Sequence, residues 1–134
     1  MPELEEKAVN YRSDDIALAT TTETLVISSG PVKVQRATCL VHIRAWAVLT
    51  TGAATTTVTP RIRRGTAVTG TAVGQANTEN VKAAAGSSEP FVVEAIEQRE
   101  NVDTVEYSLT LQQVSATGNG NIEAAAIEVE ILGG

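Results

Sequence analysis

His42 is the one histidine of the 134-residue chain and Cys39 its one cysteine, which sharply limits the chemistry available. A multi-histidine metal site cannot be built, and no second thiol exists for a zinc pair or an internal disulfide. A Ser-His-Asp arrangement would have to use His42, and that residue sits mid-strand between Val41 and Ile43, where a structural or interface role is expected. Cys39 opens the apolar run Cys39-Leu40-Val41 and reads as a small buried hydrophobe. No loop with alternating carboxylates suggests calcium. The carboxylates offer candidate acid pairs, Glu94 with Glu106 and Glu128 with Glu130, at spacings a glycosidase could use. Glycosidase clefts also need aromatic platforms, and the chain has only Tyr11, Trp46, Phe91 and Tyr107. The expectation is therefore a solvated polar strand face, no enzyme, no cofactor and no metal.

Arginine supplies the clearest candidates for binding. Arg61, Arg63 and Arg64 form the single basic cluster, and alternation puts Arg61 and Arg63 on one strand face. They suit either bidentate pairing with a partner's acids or protection of an exposed strand edge. Pro60, which cannot donate to a ladder, argues for an edge or a bulge there. Tyr11 and Arg12 are the further partner-contact candidates, on the segment ahead of the strands.

The elements that must carry these residues are strands. The hydrophobic fraction is 43% with aromatics at 3%, so the core is aliphatic, and the abundance of Thr, Val and Ile favours pleated structure. Period-two alternation begins at Ile16 and recurs over Thr24–Ile27, Gln35–Leu49, Thr55–Arg63, Pro90–Glu97, Val105–Ser115 and Ile122–Leu132. Ala67–Thr69, Gly70–Ala76 and Glu79–Ala85 are shorter and more ambiguous. In the longest run Cys39, Val41, Ile43, Ala45 and Ala47 should face the core. Trp46 lies opposite, with Arg44 and Val48, and is expected to be covered by a second sheet, the alternative being an interface anchor. In the Tyr107 strand, Ser108, Thr110 and Gln112 should form the polar face. Turn clusters at Ser28–Pro31, Thr50–Gly52 and Thr117–Asn121 separate the strands. About eight strands without a long helix select an all-β antiparallel sandwich or barrel.

Residues 1–23 differ. Glu3, Glu5, Glu6, Lys7, Arg12, Asp14 and Asp15 crowd a stretch with few apolar anchors, which reads as an extended N-terminal arm, with a short helix over Glu3–Val9 as one possibility. The expected division is an arm at 1–23 and a β domain at 24–134. Ten basic against sixteen acidic residues give a formal charge of −6, so nucleic acid is not expected as a partner. No leader is seen at Met1–Glu6 and no apolar run approaches the about 20 residues that span a bilayer, so no membrane partner is expected.

Two stretches carry a family likeness. Thr57-Val58-Thr59-Pro60-Arg61-Ile62-Arg63-Arg64-Gly65-Thr66, followed by Val68-Thr69-Gly70-Thr71, is one. Tyr107-Ser108-Leu109-Thr110-Leu111-Gln112-Gln113 with Ala116–Gly120 and an Ala-rich last strand is the other. Together they resemble the tumour-necrosis-factor-like jelly-roll proteins that decorate the heads or form the fibres of tailed bacteriophages. The resemblance implies a jelly-roll sandwich. It also implies a homotrimer on the outer capsid surface of a virion, with the major capsid protein as partner and stabilisation of the head as function. A receptor- or carbohydrate-binding head of a phage fibre or surface appendage is the alternative.

Overall fold

The computed structural model describes residues 3–18, 22–35, 38–73, 80–114 and 120–133, and among them every regular element is a strand. Eleven are present: β1 (Glu3–Arg12), β2 (Ile16–Ala17), β3 (Glu23–Ser28), β4 (Val32–Val34), β5 (Cys39–Thr51), β6 (Thr56–Arg64), β7 (Val81–Ala83), β8 (Ser88–Arg99), β9 (Asp103–Val105), β10 (Tyr107–Gln113) and β11 (Gly120–Gly133). The large sheet has the order β1-β11-β5-β8, with β2 also paired to β11, and the small sheet the order β3-β10-β6-β7. Both are antiparallel, and β4 with β9 forms a separate two-stranded ribbon. Consecutive long strands alternate between sheets, as β5 to β6, β8 to β10 and β10 to β11 do. Each crossing folds one sheet over the other, and the result is a jelly-roll sandwich.

Alternation explains which face each strand buries. On β5, Cys39, Val41, Ile43, Ala45, Ala47 and Leu49 are all buried, as the sequence pattern predicts. They meet Ile127, Val129 and Ile131 of β11 and, from the small sheet, Val58, Ile62, Leu109 and Leu111 in one cluster. Tyr107 is the only aromatic among its buried residues, so the core is aliphatic. Pro60 pairs with Leu111 on its β10 side. On the other side of β6, β7 covers only Thr56–Val58, and residues 71–73 bond Ile62 to Arg64. Among the described residues Pro60 thus has no ladder partner on that side, as suits its missing N–H.

Two expectations are corrected. Glu3–Val9 is not helical: Glu3–Arg12 pairs antiparallel with β11, from Glu3↔Gly133 to Arg12↔Ala125. Extended the segment is, but it lies against the sheet, and β2 continues along the same strand at Asn121 and Ile122. Ser108 and Thr110, expected on a solvated face, are fully buried. Residues 115–119, where most of the turn signal Thr117–Asn121 falls, lie outside the described residues, as do 74–79.

One glycine closes the turn after β6. Gly70 donates its N–H to the Ala67 carbonyl at 3.0 Å, and a Cβ there would stand 2.2 Å from the backbone oxygen of Arg64. The obstruction is main chain, so no side-chain rotation relieves it. Gly70→Ala should cost about 1–2 kcal/mol by forcing the turn out of shape. The shift of the urea midpoint relative to the parent checks this, and an unchanged midpoint would show that the turn re-forms freely.

Candidate functional site

The outer face of the large sheet carries a cross-strand row of four residues. Register places Tyr11 opposite Ala126, Ala126 opposite Trp46, and Trp46 opposite Val92, so β1, β11, β5 and β8 each give one side chain. The central strand contributes only methyl groups, because Ala124 and Ala126 point the same way. Two large aromatics, one on each flanking strand, therefore stand above a floor of alanine. The product is a groove of about 460 Å³, lined also by Val48, Pro90 and Phe91 and almost entirely apolar. Tyr11, at one end of the row, is 70% exposed, and Val92, at the other end, is exposed as well. Trp46 is half-buried on this outer face, which corrects the expectation that a second sheet covers it.

One step further along the strands the face becomes ionic. Lys7 pairs with Glu128 at 3.3 Å and Arg44 with Glu94 at 3.4 Å, while the Arg44 guanidinium lies 5.7 Å from the Trp46 ring centroid. His42 stands between two strands' acids, with Nε2 3.0 Å from Glu94 and Nδ1 3.3 Å from Glu130. Both contacts are hydrogen bonds together only when both ring nitrogens carry protons. The Glu94 carboxyl is held below its usual range chiefly by the hydrogen bond from His42, against the opposing effect of desolvation, with the Arg44 charge adding to the lowering. Glu128 and Glu130 share this face, each with a cationic or imidazole partner. Glu94 lies on the large sheet, whereas Glu106 immediately precedes β10 of the small one. Glu94, Glu128 and Glu130 act as counter-ions and strand-to-strand ties.

The arginine candidates are engaged within the chain. Arg61 and Arg63 do share a face, and both reach Glu23 of β3. Arg63 holds it through Nε at 2.5 Å and Nη2 at 2.9 Å, and Arg61 through Nη1 at 3.2 Å. Thr110 donates to the same carboxylate at 2.7 Å, and Arg63 also donates to the Gly70 carbonyl at 2.8 Å. This layer of long side chains is what covers Thr110. Arg64 turns instead to Glu97 of β8, which also accepts a hydrogen bond from the Tyr107 hydroxyl at 2.5 Å. The three tie the two sheets together at one end of the sandwich. Arg12 donates to the Val26 carbonyl at 3.0 Å, and Asn10 to that of Ser28 at 2.8 Å, so β1 side chains cap carbonyls of β3. Of the five candidates only Tyr11 extends into the groove.

The groove's other lining residues escape a sequence reading because they come from three further strands far apart in the chain. The single available signal is Trp46 on the polar phase of β5, paired with small residues on the Ala-rich strand. Among the described residues no cluster of three or more His, Cys, Asp or Glu side chains is arranged to hold a metal ion.

No protein-family model matches the chain, and no curated protein matches it in sequence. Solved structures do. A chain of the infectious bursal disease virus T13 viral particle is 8% identical, with a TM-score of 0.53 over 96% of this chain and 38% of that one. A chain of the Gx strain of infectious bursal disease virus is 13% identical, with a TM-score of 0.50 over 96% of this chain and 37% of that one. A chain from the disulfide-linked pili of Bacillus endospore appendages is 22% identical, with a TM-score of 0.40 over 92% and 89% of the two chains. The protein thus spans well under half the length of the virus chains it matches. At 8% and 13% identity, what the two virus chains share with this one is the fold, an antiparallel sandwich.

Proposed function

We propose that this protein is a capsid decoration protein, a jelly-roll subunit that assembles as a homotrimer on the outer surface of a bacteriophage head, binds the major capsid protein and stabilises the shell. The observation that carries the reading is the groove floored by Ala124 and Ala126 between Tyr11 and Trp46. Contiguous exposed apolar surface on a rigid sheet marks a protein contact, and Trp and Tyr are the residues that most often dominate such contacts. The acids, His42 and arginines that could have served catalysis are already tied to one another. The fold itself is one that virus particles use, as the two virus chains of similar structure illustrate.

The aromatic pair also suits the rival reading, a carbohydrate-binding head of a phage fibre, since sugar rings stack on aromatic faces. Sugar hydroxyls, however, need hydrogen-bond partners that the groove lining hardly offers, which favours the apolar face of a protein.

Co-sedimentation with undecorated heads built from the cognate major capsid protein tests the proposal. Tyr11→Ser with Trp46→Ser should weaken binding about tenfold or more, while circular dichroism and the urea midpoint stay near those of the parent. Equal binding by parent and variant, or binding by neither, would overturn it. Specific binding on a glycan array that the same substitutions abolish would establish the rival.

A further inference from the structure

The edges of the two sheets are held in different ways. At the far edge of the large sheet, β8 buries Val93 and Ala95, each 1% exposed, and at one edge of the small sheet β3 buries Val26 and Ile27. β1 buries no side chain over Lys7–Arg12: Val9 is 61% exposed, and Ala8 alone packs partly against the core. Over Lys7–Arg12, the described contacts that hold β1 are the backbone ladder to β11, the Lys7 to Glu128 ion pair, and the tips of Asn10 and Arg12 on carbonyls of β3. The chain is then anchored afresh. After three exposed residues, Ser13 to Asp15, β2 pairs with Asn121 and Ile122 and Leu18 is buried.

A strand held by ladder bonds and polar tips exposes little apolar surface when it leaves, so it belongs to the segments that open most readily. What it leaves behind is costly, because the β11 edge then presents a row of unpaired backbone groups. The segment that best fills that edge has the same sequence in the same register, which another copy of the chain carries. Its Lys7, Asn10 and Arg12 would find the same acid and carbonyls, and its Tyr11 the same place beside Ala126.

We propose that β1 is an exchangeable strand, pivoting at residues 13–15 to pair with β11 of a second copy. The inference rests on the self-assembly proposed above and gives it a mechanism. Donation runs head to tail, so three copies that each pass β1 to the next close into a ring in which every β11 edge is filled.

Val9 and Glu128 are register partners, and the native thiol of Cys39 is buried, so paired cysteines at these two sites report whose strand lies on whose sheet. A size-tagged Val9→Cys chain and an untagged Glu128→Cys chain are co-expressed and mildly oxidised. Exchange predicts a disulfide between the tagged and untagged chains, absent when either variant is oxidised alone. The double variant should give covalent multimers in denaturing electrophoresis. If the double variant runs only as monomer while native mass measurement shows a trimer, exchange is wrong and assembly stands. If native mass shows only monomer and undecorated heads are not bound, both proposals fail. Single-cysteine chains that keep the parent's urea midpoint show that neither result comes from misfolding.

Discussion

Tyr107→Ala should destabilise the protein by about 3–5 kcal/mol, the range for deleting a buried aromatic ring. Tyr107 is fully buried at the start of β10, in a core whose other buried members are aliphatic or small. The truncation also removes the hydroxyl that donates to Glu97, leaving that carboxylate with Arg64. Burial pushes the phenol up from its ordinary pKa, against smaller opposing effects of Arg99 and Arg64, so it stays protonated and donating at neutral pH. Tyr107→Phe separates the two contributions, since it keeps the ring and deletes the donor, and should cost about 1–2 kcal/mol. Urea unfolding with an unchanged m value is the measurement. Equal losses in the two variants would mean that the hydroxyl, not the ring, carries the stability.

The second large effect belongs to Glu23. Glu23→Gln should cost about 2–3 kcal/mol at neutral pH, because Arg61, Arg63 and Thr110 all converge on the carboxylate and an amide satisfies them poorly. The loss should be pH-dependent. The hydrogen bond from Arg63 is the main cause that holds the Glu23 carboxyl below its ordinary value of 4.5, with desolvation opposing it and Thr110 and the arginine charges reinforcing it. A group whose folded value is depressed stabilises fully above its unfolded value and loses that contribution as pH falls through the folded one. The gap between parent and variant should therefore be widest above about pH 5 and shrink in the acid range below about 4.5. A gap of the same size at about pH 3 and about pH 7 would show that shape rather than charge holds the site.

Much of this was legible in residue types alone, and where it was not the reason is physical. The inward phase of β5 follows directly from alternation, because one face of that strand meets a packed core. The same logic mistakes Ser108 and Thr110 for exposed residues. Periodicity tells which face a side chain takes, but not that arginines from β6 and an acid from β3 fold over that face. Trp46 is the converse case, since a large apolar side chain on the outward phase gives no sign of whether protein or solvent lies beyond. For β1, dense charge and few anchors suggest an unattached arm or a helix. An edge strand needs neither an apolar stripe nor high propensity when a ladder on one side holds it. At three residues each, β4 and β9 are too short to show a period at all. The Arg63 to Glu23 pairing was out of reach for a different reason, because it depends on two strands meeting through β10.

The strand that comes last along the chain is an inner strand of the large sheet, since β11 lies between β1 and β5 and also receives β2. During synthesis, β1 emerges well before β11, its partner among the described strands, and contacts between such distant segments form slowly. Through that interval the crowding of nascent and newly released chains sets whether a first strand meets its own last strand or another chain's. The rate of production is thus expected to act on the assembly as directly as any side chain does.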